Sequence, residues 1–172
     1  AAFTYEVDDI QLTAVGGAAN TVQLVNADTG KATGVEVDAE WAPIDNLVFT
    51  GGFAWADTEL DDDGLAVGIC AQCTVTDPTI VLGGTRALID GNPFPNAPEM
   101  TADFTARYSV PFGADGEFFG FTDWAWQGDT NLFLYESEEF NTDGQFEGGL
   151  KLGWARTDGT LVPDLEVRDS NG

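Results

Sequence analysis

Between Gly34 and Asp57 the chain alternates apolar and polar positions with period two, breaks once, and alternates again. Val35, Val37, Ala39 and Trp41 fall on one side of an extended segment and Glu36, Asp38 and Glu40 on the other, because successive strand side chains point to opposite faces. Three carboxylates in register cannot face a dry core. Ala42-Pro43-Ile44-Asp45-Asn46 then reads as a turn, since proline cannot donate to a ladder and Asp and Asn favour turns. The return segment places Leu47, Phe49, Phe53 and Trp55 on one side and Thr50, Gly52, Ala54 and Ala56 on the other. The pattern predicts an antiparallel hairpin with one apolar and one wet face.

The theme recurs. Met100, Ala102, Phe104, Ala106, Tyr108 and Val110 alternate with Thr101, Asp103, Thr105, Arg107 and Ser109, a length close to the roughly 9–11 residues of a tilted membrane-crossing strand. Pro111 to Gly116 predicts a tight turn. The chain returns through Glu117 to Gln127, with Phe118, Trp124 and Trp126 on one face and Phe119, Phe121 and Asp123 on the other. Asn131 to Tyr135 and Gly148 to Ala155 predict two more strands, and Ala2 to Thr13 with Thr21 to Ala27 an opening pair. Helical spacing is nowhere sustained. The fold class is therefore all-β, an antiparallel meander of about eight strands.

Connection lengths are unequal. The turns at 42–46 and 111–116 are short, whereas 57–97 is a loop of about forty residues, far beyond a usual connection. Short turns on one side and long loops on the other are the asymmetry of an outer-membrane barrel. By that logic 14–20, 57–97 and Glu136 to Asn141 point away from the cell and the proline turns face the periplasm.

Composition narrows the classes. Thirty acidic residues against six basic ones give a net charge of -24 over 172 residues, so nucleic acid and anionic membrane surfaces are poor partners and cations are good ones. There is no histidine and one methionine, which removes the commonest general base and transition-metal ligand. No apolar run approaches the roughly 20 residues of a membrane helix, and a membrane protein built without such helices is a barrel.

Gly34-Val-Glu-Val-Asp38 followed by Asp45 to Leu60 resembles the late barrel strands of TonB-dependent outer-membrane receptors. Tyr5 to Leu12, Pro95 to Tyr108 and Gly148-Gly-Leu-Lys-Leu-Gly153 match in order and spacing, and together they cover nearly all of residues 1–172. The resemblance implies a 22-stranded barrel of the Gram-negative outer membrane, closed by an N-terminal plug and importing metal chelates, cobalamin or carbohydrates with energy from the TonB complex. It makes 1–172 a partial barrel region with an extracellular loop at 57–97, touching outer-membrane lipid, the plug and the remaining strands. It assigns Glu36, Asp38, Glu40, Asp103 and Arg107 to the lumen. Val35, Val37, Trp41, Phe49, Phe53, Trp55, Phe104 and Tyr108 go to lipid or packing. No plug domain, TonB box, signal peptide or terminal aromatic strand is visible in these residues, so the strands are expected to be completed by other parts. Copies of the chain stacked into an extracellular, amyloid-like filament are the alternative, opposed by like carboxylates at about 4.8 Å spacing.

Candidate chemistry is sparse. Cys70-Ala-Gln-Cys73 lies in the long loop, where an oxidising exterior favours a disulfide. A redox pair would need a helix start, and a zinc site a second pair or a histidine. Asp57, Glu59, Asp61, Asp62 and Asp63 are candidate oxygen ligands for calcium, without EF-hand spacing; the other reading is a solvated acidic loop. Glu136, Glu138 and Glu139 form a second acidic group. The five tryptophans suit membrane-interface girdles, packing or a sugar-stacking surface. Arg107 and Lys151 are expected to pair with carboxylates of neighbouring strands. Nothing assembles an enzyme: no nucleophile sits beside a histidine and no phosphate-binding glycine loop is present. Three functions follow, namely a receptor barrel, a filament derived from one, and a soluble acidic β domain that binds calcium or carbohydrate.

Overall fold

The computed structural model describes residues 1–17, 21–156 and 161–171. Every regular element among them is a strand. Seven long strands lie in one sheet: β1 (Ala2–Gly16), β2 (Thr21–Ile44), β3 (Leu47–Asp61), β7 (Met100–Pro111), β8 (Gly116–Gln127), β11 (Gln145–Arg156) and β12 (Leu161–Asn171). They are neighbours in chain order, as expected of a meander. The ladders β1–β2, β7–β8, β8–β11 and β11–β12 are antiparallel. The remaining elements are short: β4 (Ala66–Gly68), β5 (Thr79–Val81) and β6 (Thr85–Leu88) make a three-stranded sheet, and β9 (Thr130–Asn131) pairs with β10 (Asn141–Thr142).

Three expectations are corrected. Thr21 to Ala27 and Val35 to Trp41 are not separate strands but parts of one 24-residue strand. The intervening Asp28-Thr-Gly-Lys-Ala-Thr-Gly34 carries turn-forming residues, yet β1 pairs along it from Val7 opposite Gly30 to Phe3 opposite Gly34. The 42–46 turn shrinks to Asp45 and Asn46, with Asn46 in the left-handed region at φ 64°. Pro43 sits near the strand end, a position proline tolerates. Asn131 to Tyr135 is a strand only at its first residue, because Leu134 and Tyr135 turn into a core instead. The 57–97 segment carries short strands of its own: β3 runs through Asp61, and β4, β5 and β6 follow.

The chain divides into two compact units. Unit 1 comprises Ala1–Val35, Trp55–Glu99 and Gly128–Gly144. It holds the closed core, in which Leu60, Val67, Ala87, Ile89, Leu134 and Tyr135 are fully buried or nearly so and Ile10, Leu12 and Phe94 pack around them. The predicted outward segments 57–97 and 136–141 thus fold on one another and remove apolar surface from water, whereas 18–20 of the predicted 14–20 loop lie outside the described residues. On β2 the buried positions change from even (Gly30, Ala32, Gly34) to odd (Ala27). On β1, Asp9, the residue between the rungs Asp8 to Thr29 and Ile10 to Ala27, adopts φ 55°.

Unit 2 comprises Glu36–Ala54, Met100–Gln127 and Gln145–Gly172. Its described residues are strand segments joined by the turns at 45–46 and 111–116, and its large apolar side chains are mostly exposed. Trp41 is 64% exposed and Leu150 50%. An isolated sheet with such a face in water would be anomalous.

Candidate functional site

The face assignment in unit 2 follows from register. Phe104 stands opposite Trp124, which stands opposite Gly148; Tyr108 opposite Gly120, opposite Leu152, opposite Leu165. Residues directly opposite share a face, so this face carries Phe104, Tyr108, Val110, Phe118, Trp124, Trp126, Phe146, Leu150, Leu152, Leu165 and Val167. Trp41 stacks on Phe49 at 5.7 Å and Phe49 on Phe104 at 6.0 Å, which brings β2 and β3 onto the same side. The other face is polar. Thr50 and Thr105 hydrogen-bond through their hydroxyls at 2.5 Å. A recess there is lined by Asp38, Glu40, Thr50 and Asp103.

The few cations on the polar face are matched to carboxylates of adjacent strands or, for Arg168, of the next strand but one. Arg107 on β7 pairs with Glu117 on β8, and its guanidinium lies 5.3 Å from the centre of the Phe119 ring. Lys151 pairs with Glu166 at 3.8 Å and Arg168 with Asp123 at 3.6 Å. Glycine is required where this layer is tightest. A Cβ on Gly52 would sit 2.4 Å from the Asp103 carboxylate and 3.3 Å from that of Asp38.

On β8 and β11 the aromatic side chains of the apolar face fall into two bands. Near the 111–116 turn lie Phe112, Phe118 and Trp154, with Phe112 and Phe118 4.8 Å apart. Toward the other end of the strands lie Trp124, Trp126 and Phe146, with Trp124 stacked on Phe146 at 5.2 Å. Eight residue steps separate Phe118 from Trp126, roughly 26 Å along the strand, or about 20 Å across a layer at the ~40° tilt of barrel strands. Between the bands, β8 and β11 carry the aliphatic and small residues Gly120, Thr122, Leu150 and Leu152, whereas β7 and β3 place Tyr108 in the Gly120 row and Phe49 against Phe104.

Unit 1 contains a cleft of about 270 Å³ between the end of β3, the 93–99 segment and the β9–β10 pair. Asp57, Glu99, Asp129, Glu136 and Asp143 line it, with Thr58, Asn131 and Asn141, and no Lys or Arg does. The walls are tied together. Ala56 N donates to Glu99 O at 2.9 Å and Trp55 Nε1 to the Glu99 carboxylate at 2.8 Å. Asn96 N donates to Asn131 O at 2.8 Å, and Phe94 N to the Thr58 hydroxyl at 3.0 Å. Of the cleft acids, Asp57 and Glu136 are among the carboxylates singled out in the sequence; Glu99, Asp129 and Asp143 are not, because they are distant in sequence and isolated in pattern.

The other candidates in unit 1 have defined roles. Cys70 and Cys73 are joined by a disulfide, Cα to Cα 5.6 Å. Cys70 N donates to the buried Tyr135 hydroxyl at 3.3 Å, and burial pushes that phenol above its ordinary range. Asp61 pairs with Lys31. Asp62 accepts from Asp28 N at 3.1 Å and Gly64 N at 3.1 Å. Asp57 turns to the cleft, and among the described residues no three His, Cys, Asp or Glu side chains are placed to hold a metal ion. Asp57, Glu59, Asp61, Asp62 and Asp63 are thus not gathered into a calcium cage. The Glu139 carboxylate takes Thr74 N at 2.9 Å and the Thr74 hydroxyl at 2.8 Å. Those bonds, the backbone one first, hold its pKa below the ordinary value.

Comparison with protein families matches residues 1–168 to the model described as TonB dependent receptor-like, beta-barrel. Comparison with curated proteins and with solved structures finds no match.

Proposed function

The chain belongs to the TonB-dependent receptor-like β-barrel family, and we propose that it forms wall and outer loops of an outer-membrane receptor that imports a scarce nutrient. The family is one of Gram-negative outer-membrane transporters, not enzymes. The observation that carries the reading is the apolar face of unit 2, bounded by two aromatic bands at about the height of a barrel's lipid-facing belt. On this reading Val35, Val37, Trp41, Phe49, Phe53, Trp55, Phe104 and Tyr108 face lipid or pack at its borders. Glu36, Asp38, Glu40, Asp103 and Arg107 face a wet lumen. The short turns at 45–46 and 111–116 lie on the periplasmic side, and unit 1 forms the outward loops, stapled by Cys70 and Cys73.

The rest of the barrel, a plug and the TonB complex are the partners this function requires. Metal chelate, cobalamin and carbohydrate are the candidate cargoes. The carboxylate-lined cleft favours a hydroxyl-rich or positively charged ligand over an anionic chelate, since a carboxylate accepts hydrogen bonds and repels anions. Among the described residues nothing favours a self-stacked filament or a soluble calcium-binding domain.

Cell fractionation tests the first part: the chain should sediment with outer membrane and show heat-modifiable mobility. A soluble species without that shift would end the barrel reading. Fluorescence of Trp55, whose indole donates to Glu99, should respond to neutral oligosaccharides and not to anionic ferric chelates if the cleft reading is right.

A further inference from the structure

One row of the apolar face is incomplete. Tyr108, Gly120, Leu152 and Leu165 stand side by side from β7 to β12, and Gly120 contributes no side chain. The gap opens into a groove of about 630 Å³, flanked by Val110 and Phe118.

Neither backbone nor packing requires glycine there. Its φ is not positive, and a Cβ would meet only Leu152 Cδ2 at 3.4 Å, an ordinary contact. Gly116 and Gly148 differ, because a Cβ on them would lie 2.4 Å from Trp154 and 2.1 Å from Trp124.

Four residues along β11 from Leu152, on the same face and opposite Gly116, stands exposed Arg156. Arg107, Lys151 and Arg168, the other cations of unit 2, occupy the polar face. A net charge of -24 repels anions broadly, so one exposed cation on the apolar face, two residues beyond Trp154 at the groove's edge, is a local exception. The distance from Arg156 to the gap is roughly 13 Å along the strand, which matches a lipid phosphate followed by the upper part of its acyl chain.

We propose that this groove seats one acyl chain of an anionic glycerophospholipid whose phosphate is held by Arg156. The proposal rests on the barrel reading, which puts this face in lipid and the 111–116 turn on the periplasmic, phospholipid-bearing side. Gly120 makes room for the chain, and Arg156 selects the headgroup charge.

The test uses the full chain in detergent, with native mass spectrometry during titration with phosphatidylglycerol, phosphatidylcholine or inorganic phosphate. The wild type should retain one phosphatidylglycerol. Gly120→Val should bind both lipids at least about tenfold less, because the gap is filled, and Arg156→Gln should bind the two lipids alike. Equal retention of phosphatidylglycerol by all three proteins would overturn the proposal, as would binding of inorganic phosphate alone or a dimer mass that excludes lipid. Heat-modifiable mobility is read on the same samples. Its presence with unchanged lipid binding sinks the groove and leaves the barrel, whereas its absence in the wild type sinks the barrel.

Discussion

The side-chain amide of Asn92 donates to the Asp77 carboxylate at 2.9 Å. The same Asp77 oxygen accepts Glu136 N at 2.7 Å, and Asn92 also donates to Leu134 O at 3.0 Å. Two residues fifteen apart thereby fasten a third segment, more than forty residues further on, and enclose Leu134 beside Leu60 and Ile89.

Asp77→Ala should therefore loosen unit 1 as a whole. It leaves the Asn92 amide and the Glu136 amide short of an acceptor, at about 1–3 kcal/mol for each buried group left unsatisfied. Hydrogen exchange should accelerate over 58–62, 88–92 and 131–137 while β8 and β11 keep their protection; unchanged exchange in those segments would contradict the clamp.

The two faces of unit 2 should tolerate charge unequally. Leu150→Lys, mid-strand on the apolar face, should cost about 2–4 kcal/mol of assembly in a membrane. Ala125→Lys lies opposite Asp103 and Glu147 and should be accepted. Yield of heat-modifiable protein from the outer-membrane fraction measures both, and equal losses would deny the face assignment.

Gly148→Ala should disturb a specific stack. Its methyl would enter the space of the Trp124 ring, and overpacking of this kind costs about 1–3 kcal/mol. The Trp124–Phe146 contact should open, which a change in near-ultraviolet dichroism absent from Gly120→Ala would register.

Acid should loosen the contact between Glu139 and Thr74. Glu139 has a folded pKa below its ordinary value of 4.5, so the stability it contributes is complete above that value and is lost as pH falls through the lower, folded one. Exchange of the Thr74 amide should rise in that window, and Glu139→Gln should abolish the pH dependence at this site.

Removing the disulfide should matter little to the fold. Cys70 and Cys73 close a four-residue loop, worth about 2 kcal/mol at most by chain entropy. Cys70→Ser with Cys73→Ser should lower the melting temperature of unit 1 slightly; collapse of its exchange protection would assign the bridge a larger role.

The amino-acid order alone determined the two faces of the sheet, because side-chain direction alternates along any strand and Glu36, Asp38 and Glu40 cannot share a side with Val37 and Trp41. It also determined the all-β class and the Cys70–Cys73 pair, both local properties. Tertiary structure decided what spacing cannot encode. The turn-like residues 28–34 remain in strand because β1 supplies their ladder. Leu134 and Tyr135 leave the strand their pattern predicts because Leu60, Ile89 and Phe140 offer burial. Glu99, Asp129 and Asp143 come together as one cleft only when segments fourteen to forty-four residues apart close on a common core, a long-range loss of chain entropy offset by apolar burial that no local pattern records.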